Sequence, residues 1–142
     1  MNLINRDTDY AVRALCHMAQ HPDTIVSVAD LHPQLQVPRP YLRLILQTLA
    51  REQILQSFRG KGGGFKLAKP PAKIRLSDII EIFQGDIALV ECVFHGEACP
   101  DCTTCPLRRT VMEIEAMALK TLRATTIASL QRGTAAAQCS TA

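Results

Sequence analysis

Cys92, Cys99, Cys102 and Cys105 place four of the chain's six cysteines within fourteen positions, spaced C-x6-C-x2-C-x2-C and closing on Pro106. Thiolates are soft, polarisable donors, and several aimed at one point suit an iron–sulfur centre or zinc far better than a hard cation. A C-x2-C-x2-C run is the kind of short-loop spacing that sets several sulfurs around one cluster. Zinc also accepts four thiolates, but its usual pattern is two separated C-x2-C knuckles, not three cysteines in seven residues. Thiol redox chemistry is the remaining use of neighbouring thiols. Two structural disulfides fit poorly, because the chain opens without the apolar stretch of a secretory signal. Replacement of one thiolate of such a cluster by the imidazole of His95, the one histidine close to the sulfurs, is the minority alternative.

These donors sit in a chain of 142 residues, enough for one domain with a long accessory helix. It has no tryptophan and few aromatics, so its core must rest on Leu, Ile, Val and Ala. No apolar run approaches the roughly 20 residues of a membrane span, and a cytoplasmic, reducing setting is expected. The net charge of +3 conceals an asymmetry. Between Arg39 and Arg75 lie nine basic residues and one acid, Glu52, for a local charge of +8, while the rest of the chain carries −5. A solvated face normally mixes signs, so this block implies a polyanionic partner, nucleic acid first among them.

The elements that must position both features follow from pattern. Residues 7–20 read as a helix, with Ala11, Val12, Leu15, Met18 and Ala19 on one side and Asp7 or Thr8 as its cap. Ser27, with Asp30 three residues on, approximates a capping box that opens a short second helix. Ala29, Leu31 and Leu35 are its expected buried side, and Pro33 should kink or shorten it. A third helix runs from residue 39 or 40 to 52, burying Leu42, Ile45, Leu46 and Leu49 and carrying Arg39, Tyr41, Arg43, Gln47 and Arg51 elsewhere. Two such helices joined by a tight turn describe a helix-turn-helix. Strand-like runs at 54–58 and 65–68 flank Arg59-Gly-Lys-Gly-Gly-Gly64, a glycine-rich hairpin with Arg59 and Lys61 at its tip. That spacing excludes a P-loop. A third strand at 74–76 is expected to complete the small sheet. Ser77 then caps a helix that ends at Gly85.

Beyond Pro106 the longest helical pattern runs to about residue 125, with Leu107, Val111, Ile114, Ala118 and Leu122 as a narrow apolar stripe suited to self-association. A short turn at 126–130 and a frayed tail from 133 follow. No Ser/His/Asp or paired-carboxylate constellation is present for catalysis, so neither an enzyme nor a small-molecule substrate is expected.

In this order the parts resemble the winged-helix regulators typified by the iron–sulfur cluster regulator (IscR) and the nitric-oxide-sensitive repressor (NsrR). The resemblance covers residues 1–130. It rests on Asp9-Tyr10-Ala11-Val12-Arg13-Ala14-Leu15, on Tyr41-Leu42, on Ser57-Phe58-Arg59-Gly60-Lys61-Gly62-Gly63-Gly64-Phe65-Lys66-Leu67, on the cysteine loop and on Thr126-Ile127-Ala128-Ser129-Leu130. It implies a mainly α fold with a small β wing: a winged helix-turn-helix domain over 1–85, a cysteine sensor loop over 86–105, a dimerisation helix and turn over 106–132, and a tail over 133–142. It further implies a homodimeric DNA-binding regulator, as a repressor, whose operator affinity follows a 2Fe-2S or 4Fe-4S cluster. Cys92, Cys99 and Cys105 match the family's three-cysteine layout. Arg108 stands where some members carry a histidine ligand, and Asp9 falls where others use a carboxylate from the partner subunit. Cys102 is extra to that pattern and competes with Asp9 for the fourth position. Arg39, Tyr41, Arg43, Arg59, Lys61 and Lys66 are the expected DNA contacts. A clusterless thiol/disulfide switch on the same scaffold is the alternative, and a small electron-transfer or cluster-carrier protein ranks last.

Overall fold

The computed structural model describes residues 3–87 and 104–134. Its first helix, α1 (Arg6–Met18), begins where the Asn5 side chain accepts the Thr8 N–H at 2.8 Å, satisfying one orphan donor of the first turn. Asn5 therefore takes the capping role expected of Asp7 or Thr8, and Thr8 is fully buried instead. Asp7 and Asp9 follow in the first turn, at the positive end of the helix dipole. Ala11, Ala14, Leu15 and Met18 turn inward.

The second helix, α2 (Val28–Leu35), opens on a capping box: Ser27 accepts the Asp30 N–H, and Asp30 accepts the Ser27 N–H at 3.0 Å. Pro33 lies inside it, and the helix stops two residues later, where Gln36 adopts φ 54°. Leu31 is its one fully buried residue; Ala29 is exposed rather than on the buried side. His32 donates from Nδ1 to the Val37 carbonyl at 2.7 Å, which holds the turn into α3 (Arg39–Arg51). Pro38 and Pro40 start α3 without a side-chain cap, and Leu42, Ile45, Leu46 and Leu49 are buried as their spacing requires.

Strands β1 (Leu55–Phe58) and β2 (Gly64–Leu67) pair antiparallel, Leu55 opposite Leu67 and Phe58 opposite Gly64. The third edge is not residues 74–76. Val26, in the α1–α2 connection, exchanges both backbone hydrogen bonds with Phe65 at 2.8 and 2.9 Å. Gly64 makes that approach possible, since a Cβ there would lie 2.5 Å from the Val26 carbonyl oxygen. Gly60 supplies the positive φ, 94°, that turns the hairpin. Residues 74–76 instead pair with the far end of the chain. Leu76 N–H donates to Thr125 and Ile127 N–H to Ile74, each at 2.9 Å.

Helix α4 (Leu76–Gln84) starts two residues earlier than expected, so Arg75 is its cap residue and Ser77 is buried in its first turn. It ends at Gly85 with φ 79°. Helix α5 (Pro106–Ala124) buries only Leu122, which joins Leu76 and Ile80 in a small cluster against Val12 and Leu130. Of the rest of its apolar stripe, Leu107 is 70% exposed and Ile114 51%, with Met117 beside Ile114, while Val111 and Ala118 are half-buried. Helix α6 (Ile127–Thr134) is longer than the expected turn and plugs Ile127 into the main core with Leu15, Leu42, Leu46, Ile74 and Ile79. Among the described residues no helix is long and apolar enough to cross a membrane.

Candidate nucleic-acid interface and cysteine segment

Helix α3 buries one side, and its other side carries Arg43, Gln47 and Arg51 at four-residue intervals. This row forms one wall of a groove of about 710 Å³, whose other walls are the start of α2 and the wing turn. Arg43, Gln47, Arg51 and Arg59 line it together with Ser27, Ala29, Ser57 and Gly63, and among the described residues no acidic side chain does. Three guanidiniums converging on a trough open to solvent create a positive potential that suits a phosphate backbone. The planar, multi-donor guanidinium also suits paired contact with a phosphate or a guanine edge.

Of the expected contacts, the fold brings Arg43 and Arg59 together in this groove. Arg39 and Lys61 are exposed but do not line it. Tyr41 packs edge-on against Tyr10 of α1, with ring centroids 5.8 Å apart and planes at 86°, so its ring braces α3 on α1. Lys66 projects to Asp23 at 3.4 Å, an ion pair at the surface. Gln47 and Arg51 were not among the expected contacts. Their place one and two turns beyond Arg43 on the same face was the signal that could have found them.

Of the cysteines, Cys105 is half-buried immediately before α5, while Cys92, Cys99 and Cys102 lie outside the described residues, as does His95. Asp9 is half-buried on α1 and pairs with Arg13 at 3.0 Å. Among the described residues no three His, Cys, Asp or Glu side chains come together as a metal site. Cys16, half-buried on α1, is a poor ligand candidate because burial raises the pKa of its thiol and keeps it protonated.

Comparison with known proteins gives a consistent family. Residues 4–133 match Rrf2, described as iron-dependent transcriptional regulator. The regulator NsrR of Geobacillus kaustophilus (strain HTA426) is 30% identical over 125 residues, spanning 87% of this chain and 85% of that protein. A protein of Aquifex aeolicus (strain VF5) assigned as an HTH-type transcriptional regulator is 34% identical over 92 residues, and the match spans 65% of this chain but just under two thirds, 64%, of that protein. Among solved structures, CymR, the global cysteine regulator of B. subtilis, superposes with a TM-score of 0.79 at 23% identity, covering 93% of this chain and 98% of that one. IscR of T. potens does so with 0.72 at 22% identity, covering 98% and 93%. At such identities these structures carry the fold alone, a winged helix. The family match, running from just before α1 to the last turn of α6, supplies the rest: the chain belongs to the Rrf2 family of winged-helix, DNA-binding transcriptional regulators.

Proposed function

We propose that the protein is a homodimeric repressor whose grip on its operator is set by an iron–sulfur cluster bound by Cys92, Cys99, Cys102 and Cys105. The observation that carries the DNA half is the groove between α3 and the wing, lined by no acid among the described residues, with Arg43, Arg51 and Arg59 turned into it. In this reading the first turns of α3 enter the major groove, where Arg43 and Gln47 meet base edges and Arg39 and Arg51 meet the backbone. Arg59, at the wing turn, reaches the minor groove, with Lys61 and Lys66 beside phosphates. Tyr41 contributes chiefly by holding the angle of α3 against Tyr10.

The cluster half rests on donor chemistry. Cys105 is a sulfur ligand set at the N-terminal, positive end of α5, and a cluster held by thiolates is anionic overall. When bound, such a cluster supplies a reversible redox- and ligand-sensitive centre. What this chain does is couple its two ends: the cysteine segment leaves α4 and enters α5, and the α5–α6 corner is bonded to residues 74–76 at the exit of the wing. A change in the segment therefore acts on the angle between α5 and the winged domain. Such coupling is typically worth about 1–3 kcal/mol.

One specific feature favours a second reading, a thiol switch. Cys99, Cys102 and Cys105 are spaced for disulfide exchange without any metal. Purification without oxygen separates the two. The cluster reading expects brown protein with visible charge-transfer absorption, stoichiometric iron and sulfide, and an operator affinity that changes on cluster removal. Colourless, metal-free protein whose DNA affinity follows only thiol oxidation would leave the switch as the answer.

A further inference from the structure

Leu44 stands out on α3 because neither the core nor the charge of the groove accounts for it. It is 53% exposed, the most exposed large apolar side chain among residues 3–87. The helix buries Leu42, Ile45, Leu46 and Leu49 on one side, and helical geometry puts Leu44 on the opposite side beside Pro40 and Gln47. A single exposed leucine elsewhere on a surface needs no explanation. Here its immediate neighbours on that face, Arg43 and Gln47, line the basic groove. The major groove of B-DNA presents donors and acceptors almost throughout, and its one apolar feature is the C5-methyl of thymine.

We infer that Leu44 is a specificity-determining residue that packs on the C5-methyl of a thymine adjacent to the bases reached by Arg43 and Gln47. The inference rests on the reading of α3 as the helix that enters the major groove. It adds an apolar selection to contacts otherwise made by charged and amide groups, and it makes the preference at that position one for a methylated pyrimidine, not for an A·T pair as such.

The test uses the full chain, purified without oxygen, and sites enriched by it from a random duplex pool. Each thymine of an enriched half-site is replaced in turn by deoxyuridine, which removes the methyl and leaves base pairing intact. Wild type is expected to lose affinity about fourfold at one thymine per half-site, the worth of one buried methyl group. Leu44→Ala is expected to bind the thymine and deoxyuridine versions of that site alike, while Leu44→Met keeps part of the discrimination. Circular dichroism of each variant checks that the fold is retained. Equal losses in wild type and Leu44→Ala at every thymine, or no sensitive thymine at all, would overturn the inference. Arg43→Ala separates this failure from that of the underlying reading: if it enriches the same sequence as wild type, α3 is not the reading helix and the role of Leu44 falls with it.

Discussion

The side-chain oxygen of Gln84, the last residue of α4, accepts the backbone N–H of Asn5 at 2.8 Å, fixing the residue that caps α1. The same oxygen accepts the hydroxyl of the buried Thr8 at 2.8 Å, and the Gln84 amide donates to the Leu3 carbonyl at 3.2 Å. Asn5 answers by donating to the Phe83 carbonyl at 3.4 Å. The point where the chain departs for the cysteine segment is thus clamped to the start of α1, at Asn5 and Thr8. Any rearrangement of that segment that pulls on α4 is felt first at this clamp.

Gln84→Ala removes a shared acceptor and leaves the buried Thr8 hydroxyl short of a partner, while the exposed Asn5 N–H turns to water. The expected cost is about 1–3 kcal/mol, the usual penalty for an unsatisfied polar group away from water. Urea unfolding of the single variants and of Gln84→Ala/Thr8→Val checks it, and the double variant should lose less than the sum of the singles because the two side chains share one bond. Strict additivity would mean that the clamp carries no coupling.

The parts of this fold that depend on near neighbours were legible in the sequence. The Ser27–Asp30 capping box and the Leu42, Ile45, Leu46, Leu49 face are decided within a helical turn or two, and the structure has them where pattern puts them. The parts decided across the chain were not. Asn5 outcompetes Asp7 and Thr8 as a cap because Gln84, 79 residues away, holds its backbone in place. The 74–76 run has strand character, but whether it joins the wing or Thr126 depends on which edge is open, and Val26 already occupies the wing. Arg51 entered the site for a related reason. Its position on α3 was readable from spacing, whereas the wing wall opposite it was not. The cysteine types narrow the segment to soft-metal or thiol chemistry without choosing between them, and the positions of Cys92, Cys99 and Cys102 lie outside the described residues.

Arg51→Ala should weaken binding across all DNA sequences without changing which is preferred, since a backbone contact carries no sequence information. If about six phosphates are neutralised per dimer, log K falls against log salt with a slope near −5, and losing two symmetry-related contacts should make it shallower by about two. Titrations at several salt concentrations measure this directly. An unchanged slope would place Arg51 off the DNA.

The outward stripe of α5 predicts self-association. Ile114 and Met117 are 51% and 67% exposed within one chain, and the described part of the chain offers them no cover. Burying one such side chain is worth about 1.5–3 kcal/mol, and a twofold interface counts it twice. Ile114→Asp should therefore raise the dimer dissociation constant at least about a hundredfold by sedimentation. The circular dichroism of the resulting monomer should match that of wild type, because the winged core does not use Ile114. A variant that still sediments as a dimer would shift the interface elsewhere.

Stability should show an acid limb from Asp30. Its carboxyl is held below the ordinary carboxylate range by hydrogen bonds from the Ser27 hydroxyl and then the Ser27 backbone N–H. A folded-state value below the unfolded one means stability that is fully present above the unfolded pKa and lost as pH falls through the folded one. Comparison of wild type with Asp30→Asn by thermal unfolding should give a gap that is constant near neutral pH and closes below about pH 4. A gap that widens on acidification would reverse the sign of this linkage.

In the proposed cluster, the fourth position is a choice between Cys102 and Asp9 of the partner subunit. Asp9 is already engaged, paired to Arg13 at 3.0 Å on α1, and would have to leave that partner to reach a metal. Cys102 needs no such exchange, is a softer donor, and is separated in sequence from Cys99 and from Cys105 by only two residues. Oxygen-free Cys102→Ala should therefore lose most of its iron, sulfide and visible absorption, whereas Asp9→Ala should keep all three and lose only the surface ion pair, worth under about 1 kcal/mol of stability. Cys105→Ala, removing the proposed ligand at the head of α5, should behave like Cys102→Ala. The opposite pattern, with iron retained by Cys102→Ala and lost by Asp9→Ala, would assign the position to the carboxylate and make the cluster a bridge between subunits.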